Sequence, residues 1–196
     1  MNRTQALRAL IEGNRRHARG AHHHPHQDAD RIAFLVSGQS PWAAVLGCSD
    51  SRVPPEIVFD QGLGDLFVVR TAGHVCDATV LASLGYAVRH LQVPLVVVLG
   101  HTGCGAVRAA IAHRPDEPED CLCAAIRPAI EGARLCAGDL CDQTVRLHVE
   151  GMVAYLRQAL SGPEGPGVVG AVYHLDSGRV EFLTPGDLTP RSGLPG

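Results

Sequence analysis

Four short runs of apolar residues, rich in β-branched side chains, alternate along the chain with longer stretches of helical periodicity. The runs cover residues 43–46, 66–69, 95–99 and 168–173, and glycine or proline flanks each of them. Their apolar character is continuous rather than alternating, which is typical of strands that are covered on both faces, as in a parallel sheet. The pattern therefore predicts four buried strands.

Two stretches between these runs have apolar residues at helical spacing. Asp77 is a candidate N-cap for the first helix. The apolar face of that helix consists of Val80, Leu81, Leu84, Val88 and Leu91. The apolar face of the second helix consists of Val145, Val149, Met152, Val153, Leu156 and Leu160. Strands separated by such helices predict an α/β fold, with a mainly parallel central sheet flanked by helices.

The first 37 residues predict an N-terminal helical arm ahead of the sheet. Residues 4–17 form a helix with Thr4 as candidate N-cap, residues 21–27 a connection rich in histidine and proline, and residues 32–36 a second short helix. The apolar stripe of the first helix consists of Leu7, Leu10 and Ile11. Because such a stripe must be buried, we expect the arm to pack on the domain or on another subunit.

Length and composition narrow the class of function. The 196 residues are expected to form one domain over 1–196, with a loose tail at 190–196. Seventeen basic and 20 acidic residues, without a long block of one sign, argue against a nucleic-acid or anionic-membrane partner. Every basic residue is arginine, which excludes Schiff-base and P-loop lysine chemistry. The seven cysteines show no paired spacing of the kind found in disulfide frameworks, and the sequence has no pattern of a signal peptide or a membrane span. Both observations predict a cytoplasmic protein.

Polar residues suited to metal binding follow the first and third predicted strands. Cys48 follows the first strand, and His101 and Cys104 follow the third. The carboxyl ends of parallel strands meet at one edge of a sheet, where ligands bind. Two thiolates and an imidazole suit zinc and leave one tetrahedral position open. Asp50 either fills that position or accepts a hydrogen bond from metal-bound water, and Arg52 can hold its carboxylate ionised.

These segments resemble the β-class carbonic anhydrases. The resemblance rests on Cys-x-Asp-x-Arg at 48–52 followed by His-x-x-Cys at 101–104, and it extends to the N-terminal helix and to segments 38–41, 64–70 and 84–88. It implies a zinc lyase that hydrates carbon dioxide reversibly to bicarbonate and a proton. In that family the reaction proceeds by attack of a zinc-bound hydroxide.

The resemblance also assigns roles to individual residues. It implies one Zn²⁺ per chain held by Cys48, His101 and Cys104, with Asp50 and Arg52 as the dyad that orients the hydroxide. The substrate pocket is implied to consist of Gln39, Phe67, Ala72 and Tyr86. The family builds this pocket at a dimer interface, so the resemblance implies a homodimer or a dimer of dimers.

Other functions remain open at this point. The same zinc site in related enzymes hydrolyses carbonyl sulfide or carbon disulfide, and a non-catalytic zinc-stabilised module is a further alternative. Structural zinc sites normally have four protein ligands, and folding gives no reason for Asp50 and Arg52, which argues against such a module.

The remaining histidines and cysteines have two interpretations each. His22, His23, His24 and His26 form either a proton shuttle or, as we favour, an exposed loop. Four further cysteines lie in one late helical region: Cys121, Cys123, Cys136 and Cys141. They either hold a second zinc or, as we favour, act as small buried apolar residues. Cys76 is interpreted in the same way.

Overall fold

A computed structural model describes residues 1–114, 116, 118–162 and 165–183, so the predicted tail at 190–196 lies outside the described residues. Within these residues, five strands form one sheet in the order β2-β1-β3-β4-β5. The strands are β1 (Ala43–Cys48), β2 (Leu66–Thr71), β3 (Leu95–His101), β4 (Gly167–His174) and β5 (Arg179–Phe182). The first four are parallel, which confirms the predicted α/β fold. β5 pairs antiparallel with β4 at the edge and was not predicted.

Helices precede and connect the strands, and all of them except α2 contribute to covering the sheet. They are α1 (Arg3–Ala18), α2 (Ala29–Leu35), α3 (Pro55–Val58), α4 (Ala78–Arg89), α5 (Gly105–Ala112), α6 (Cys121–Ala133) and α7 (Leu140–Ala159). A single 3₁₀ turn, Ala72–His74, follows β2. Two residues assigned to helical faces lie just outside, because α4 ends before Leu91 and Leu160 is the C-cap of α7.

Side-chain caps mark the starts of α1, α2 and α4. The prediction of Thr4 as the first N-cap is wrong: Asn2 accepts a hydrogen bond from the Gln5 N–H, and the Gln5 side chain accepts one from the Asn2 N–H. This reciprocal pair is a capping box, which outcompetes a lone threonine two residues later. Asp77 caps α4 as predicted, accepting from the Val80 N–H at 2.8 Å. α2 begins earlier than predicted because Asp28 caps it.

Two apolar cores lie on opposite faces of the sheet. Alternate residues of β1 and β3 contribute to each face, which explains why these strands are apolar without interruption. Helices α4, α5, α6 and α7 cover one face, and α1 and α3 cover the other. Among the described residues, no helix combines the length and the apolar character that a membrane crossing requires.

The two helices of the N-terminal arm behave differently. α1 packs on its own sheet, with Leu7 and Leu10 buried against β1 and β3. Within the described structure α2 buries none of its residues. Ile32, Phe34 and Val36 are 56%, 69% and 84% exposed. The arm is therefore anchored by α1, whereas α2 presents an apolar surface to solvent.

Asn14 joins three separate elements through its buried side chain. Its amide nitrogen donates to the carbonyl oxygens of Val58 and Gly178, and its oxygen accepts from the Val180 N–H at 2.8 Å. Replacing Asn14 by alanine leaves these backbone groups without their partner. We expect the free energy of unfolding to fall by about 2–4 kcal/mol. Urea unfolding measures this, with Asn2→Ala, a loss of the α1 cap worth about 1 kcal/mol, as the control. Equal effects of the two variants would contradict the bridging role.

Candidate metal centre and active site

The sheet brings the three predicted metal ligands to one edge. Cys48 is the last residue of β1, His101 the last of β3, and Cys104 the N-cap of α5. β1 and β3 are adjacent and parallel, so their carboxyl ends coincide. The Cys48 and Cys104 sulfurs are 3.9 Å apart. One ligand atom from each of the three buried residues lies within 4.8 Å of the others, as the sequence predicted.

The donor atoms fit a tetrahedral zinc ion. His101 Nδ1 donates to the Thr102 carbonyl oxygen at 3.0 Å, which leaves a lone pair on Nε2. Nε2 is buried and has no hydrogen-bond partner among the residues that the structure describes. Buried polar atoms without a partner are rare, and a metal ion would satisfy this one. Two thiolates on one tetrahedral zinc lie about 3.8 Å apart, close to the separation found here.

The two thiols change each other's acidity. The hydrogen bond from the Cys104 thiol outweighs the opposing effect of burial and holds the pKa of Cys48 well below its usual value. The same bond to Cys48, together with burial, raises the pKa of Cys104. Cys48 is therefore the first of the pair to ionise, and a bound divalent cation would favour the thiolate of both.

Asp50 is held beside the metal ligands by Arg52. Asp50 Oδ1 accepts from the Arg52 N–H and from Nε, both at 2.9 Å, and Oδ2 accepts from Nη2 at 2.6 Å. These hydrogen bonds keep the pKa of Asp50 well below its usual value. Asp50 Oδ2 lies 3.8 Å from His101 Nε2. An ionised acceptor with a fixed orientation therefore lies beside the candidate metal position.

Two residues outside the predicted set of site residues fix the loops of the site. Arg70, on β2, donates to the carbonyl oxygens of Cys48 and Asp50 at 2.8 and 2.5 Å. Asp142, in the first turn of α7, accepts from the Gly103 N–H at 3.0 Å. An arginine directly after the predicted strand at 66–69 was the available signal for Arg70. No sequence signal pointed to Asp142, because α7 lies far from Gly103 in the sequence.

Two buried histidines pack behind the site. The rings of His74 and His148 are 4.7 Å apart, and both residues are buried. Burial lowers the pKa of both, that of His148 to about 4, so both are neutral at neutral pH. A Cβ on Gly100 of β3 would lie 3.3 Å from His74 Cε1 and closer still to two α7 valines. Glycine at position 100 therefore lets α7 and His74 approach the strand that carries His101.

The predicted pocket residues lie in two places. The rings of Phe67 on β2 and Tyr86 on α4 have centroids 6.3 Å apart, and Tyr86 is 46% exposed. Ala72 begins the turn after β2. Gln39 follows α2 and lines a groove of about 280 Å³ with Phe34 and Leu35 of that arm. The structure thus brings Phe67 and Tyr86 together, whereas Gln39 lies beside the N-terminal arm.

The prediction for the remaining cysteines is partly wrong. Cys121 and Cys123 begin α6, Cys136 follows that helix, and Cys141 lies in the first turn of α7, so there are two helices rather than one helical region. Gly138, with a φ of 108°, and the Asp139 cap separate them. Cys141 is buried as expected, but Cys121 and Cys136 are exposed and Cys76 and Cys123 are half-buried. Among the described residues, Cys141 groups with Asp139 and Asp142 rather than with the other three cysteines.

The histidine-rich connection is largely an exposed loop. His23, His24 and His26 are exposed and His22 is half-buried. The carboxylate of Asp60 accepts hydrogen bonds from the N–H groups of His23 and His24. The exposed-loop interpretation agrees with these positions.

Comparisons with known proteins identify relatives over most of the chain. The family model described as carbonic anhydrase matches residues 43–180. The chain is 45% identical to carbonic anhydrase 2 of Mycobacterium tuberculosis over 190 residues, which is 91% of each protein. It is also 45% identical to the carbonic anhydrase of Mycolicibacterium smegmatis over 193 residues, covering 92% of this chain and 93% of that protein.

A solved structure extends the similarity to the fold. The Coccomyxa β-carbonic anhydrase in complex with acetazolamide superposes with a TM-score of 0.71 and 27% identity, covering 90% of this chain and 86% of that one. The residues matched by the family model include the strand ends that carry the Cys-His-Cys group and the Asp-Arg pair. This protein is therefore an enzyme of the β-class carbonic anhydrase family.

Proposed function

We propose that this carbonic anhydrase holds one Zn²⁺ through Cys48, His101 and Cys104, and that Asp50 and Arg52 are its catalytic dyad. The observation that carries the proposal is the buried, unpartnered Nε2 of His101 beside two cysteine sulfurs 3.9 Å apart. A buried imidazole nitrogen that lacks a hydrogen-bond partner is costly in a protein interior unless a cation binds to it. The donor set is one that zinc prefers.

The chemistry divides between the metal and the chain. Zinc, when bound, would lower the pKa of a coordinated water and so supply a nucleophile near neutral pH. Asp50 stays ionised because Arg52 donates three hydrogen bonds to it, so its carboxylate can only accept. A nucleophile that donates its hydrogen to Asp50 has its lone pair turned away from the carboxylate. Asp50 thereby orients the nucleophile toward carbon dioxide, and Arg52 fixes Asp50.

The same contacts bear on whether Asp50 is instead the fourth metal ligand. Both carboxylate oxygens already accept hydrogen bonds from Arg52. A carboxylate that turned to ligate the metal would give up part of this bidentate pair, which is among the stronger polar interactions in proteins. The geometry therefore supports the orienting role.

The substrate pocket is proposed to use an apolar wall and an arm from a second subunit. Phe67, Ala72 and Tyr86 lie on consecutive elements and offer apolar surface suited to a small nonpolar molecule. Gln39 would donate a hydrogen bond to a substrate oxygen. Gln39 adjoins α2. The exposed Phe34 of that helix and the exposed Val36 directly after it are the kind of surface that subunits bury.

We infer that the protein is a homodimer or a dimer of dimers. α2 extends from the domain with its apolar side chains exposed, and this favours packing against a second copy. Sordaria macrospora β-carbonic anhydrases that match this fold at 25% identity, with a TM-score of 0.64, are described as tetrameric. Gln39 of one chain would then complete the pocket of its partner.

Substrate assays test the proposed function. Purified zinc-loaded protein should hydrate carbon dioxide with a kcat/KM at least about tenfold above its values for carbonyl sulfide and carbon disulfide. Stopped-flow measurement with a pH indicator gives the rate of carbon dioxide hydration, and sulfide release gives the rates for carbonyl sulfide and carbon disulfide. Faster hydrolysis of either sulfur compound would favour the alternative substrate class. Loss of zinc without loss of any activity would contradict the metal mechanism.

A further inference from the structure

Three histidines at the junction of α1 and the following loop form a cluster separate from the candidate zinc site. The histidine cluster consists of His17, near the end of α1, and of His22 and His24 in the loop. His17 Nδ1 and His22 Nε2 are 3.0 Å apart. The rings of His22 and His24 stack with centroids 5.2 Å apart and an angle of 18° between their planes. The proposed carbonic anhydrase chemistry uses none of these side chains.

The protein fixes this loop independently of the cluster. Asp60 is 3% exposed, and its carboxylate accepts hydrogen bonds from the N–H groups of His23 and His24 and from Arg16 Nε at 2.5 Å. A Cβ on Gly62 would lie 1.9 Å from the carbonyl oxygen of Pro25, so the loop packs directly on the backbone beneath it. His22 is thereby held beside α1 by contacts that do not depend on its ring.

A contact with Tyr173 on Nε2 orients the His17 ring as a metal ligand. His17 Nε2 lies 3.1 Å from the Tyr173 hydroxyl oxygen, and Tyr173 is buried on β4. Burial, and next the neighbouring His22, lower the pKa of His17, so the ring is neutral at neutral pH. A neutral imidazole whose one nitrogen is engaged by a fixed partner presents the other nitrogen to a metal ion in a defined direction.

We propose that His17 and His22 form a second metal site, for a late first-row divalent transition metal ion such as Ni²⁺. Two nitrogens bound at about 2.05 Å are separated by about 2.9 Å at a right angle and by about 3.4 Å at the tetrahedral angle. The observed 3.0 Å matches adjacent positions of square-planar or octahedral coordination, which Cu²⁺ and Ni²⁺ favour with imidazole ligands.

Binding at this site needs a change of tautomer and a turn of the two rings, because the two nitrogens now face each other rather than a common ion. Nδ1 of His17 and Nε2 of His22 now share one hydrogen bond. Nε2 of His22 loses its proton to Nδ1 of the same ring, His17 donates to the Tyr173 hydroxyl through Nε2, and the ion takes a lone pair from His17 Nδ1 and from His22 Nε2. Water completes the coordination, and His24 lies at the edge of the site through its stacking on His22.

The role of His17 separates a built site from a mere run of exposed histidines. A flexible run would bind metal through whichever loop imidazoles were available, with no need for a half-buried residue of α1. His23 is the matched control, because within the described structure its contact with Asp60 is made by its backbone N–H. His26 is paired with Asp65 at 2.8 Å and belongs to another contact.

Titration of the zinc-loaded protein with Ni²⁺, followed by calorimetry and by metal analysis, tests the proposal. The wild type should bind one additional Ni²⁺ per chain while its zinc content stays constant. His17→Gln and His22→Gln should each weaken Ni²⁺ binding at least about tenfold, because each removes a ligand. His23→Gln should bind Ni²⁺ as the wild type does.

Two results would overturn this site. One is Ni²⁺ binding that is unchanged in His17→Gln, and the other is a loss in His23→Gln as large as that in His22→Gln. His22 lies in a surface loop, so its variant remains informative if His17→Gln destabilises α1. Zinc content and the far-ultraviolet circular dichroism of each variant separate loss of the nickel site from loss of the fold or of the proposed catalytic centre.

Discussion

Replacing Cys48 by serine should strip the protein of zinc and abolish carbon dioxide hydration. A serine hydroxyl does not ionise near neutral pH, so the variant loses the thiol that ionises first in the Cys48–Cys104 pair. We expect zinc affinity to fall at least about 100-fold, since losing a ligand costs more than losing a group that merely orients one. Residual activity should follow residual zinc.

A matched cysteine provides the control for this variant. Cys136 is exposed in the segment after α6, and Cys136→Ser should retain full zinc and full activity. Metal analysis by mass spectrometry and stopped-flow hydration measure both variants. Cys48→Ser protein that keeps one zinc per chain would show that this thiol is not a ligand.

Replacing Asp50 by asparagine should leave zinc in place and lower kcat by about 10²–10⁴-fold. The neutral amide loses the charge that pairs with Arg52, and its NH₂ group can donate where the carboxylate only accepts. The orientation of the nucleophile is then lost, an effect on the scale of a positioned acid or base. Zinc content should stay at one per chain, because Asp50 is proposed to orient rather than to ligate.

Asp116→Asn is the matched control for Asp50. Asp116 pairs with Arg114 two residues away, as Asp50 pairs with Arg52, but both partners are exposed. The Asp116→Asn variant should hydrate carbon dioxide at the same rate as the wild type. Asp50→Asn protein that loses its zinc would make Asp50 a metal ligand, and one with unchanged kcat would remove it from the mechanism.

Continuous apolar runs made the parallel strands predictable. β1 and β3 are buried on both faces, so almost every residue in them had to be apolar. β5 is an edge strand in which exposed and half-buried residues alternate over only four positions, too short a pattern to stand out. The start of α1 was misplaced because a capping box depends on Asn2 and Gln5 together, whereas Thr4 alone resembles a cap.

The candidate ligands were predictable for a similar reason. Cys48 and His101 end two strands that are evident in the sequence, and Cys104 comes three residues after the second, so the topology of a parallel sheet brings all three together. Asn14, Arg70 and Asp142 act through backbone groups far away in the chain, and local sequence carries no mark of those partners. The exposure of Cys121 and Cys136 was missed because helix packing, rather than residue type, decides it.

Zinc K-edge X-ray absorption on the purified, zinc-loaded protein tests the proposed metal centre most directly. The account predicts two sulfur ligands at about 2.3 Å, one imidazole nitrogen at about 2.0 Å and one further light-atom ligand. Cys48→Ser protein reconstituted at high zinc should show no more than one sulfur. A wild-type spectrum with no sulfur, or with four, would contradict a site built from Cys48, His101 and Cys104.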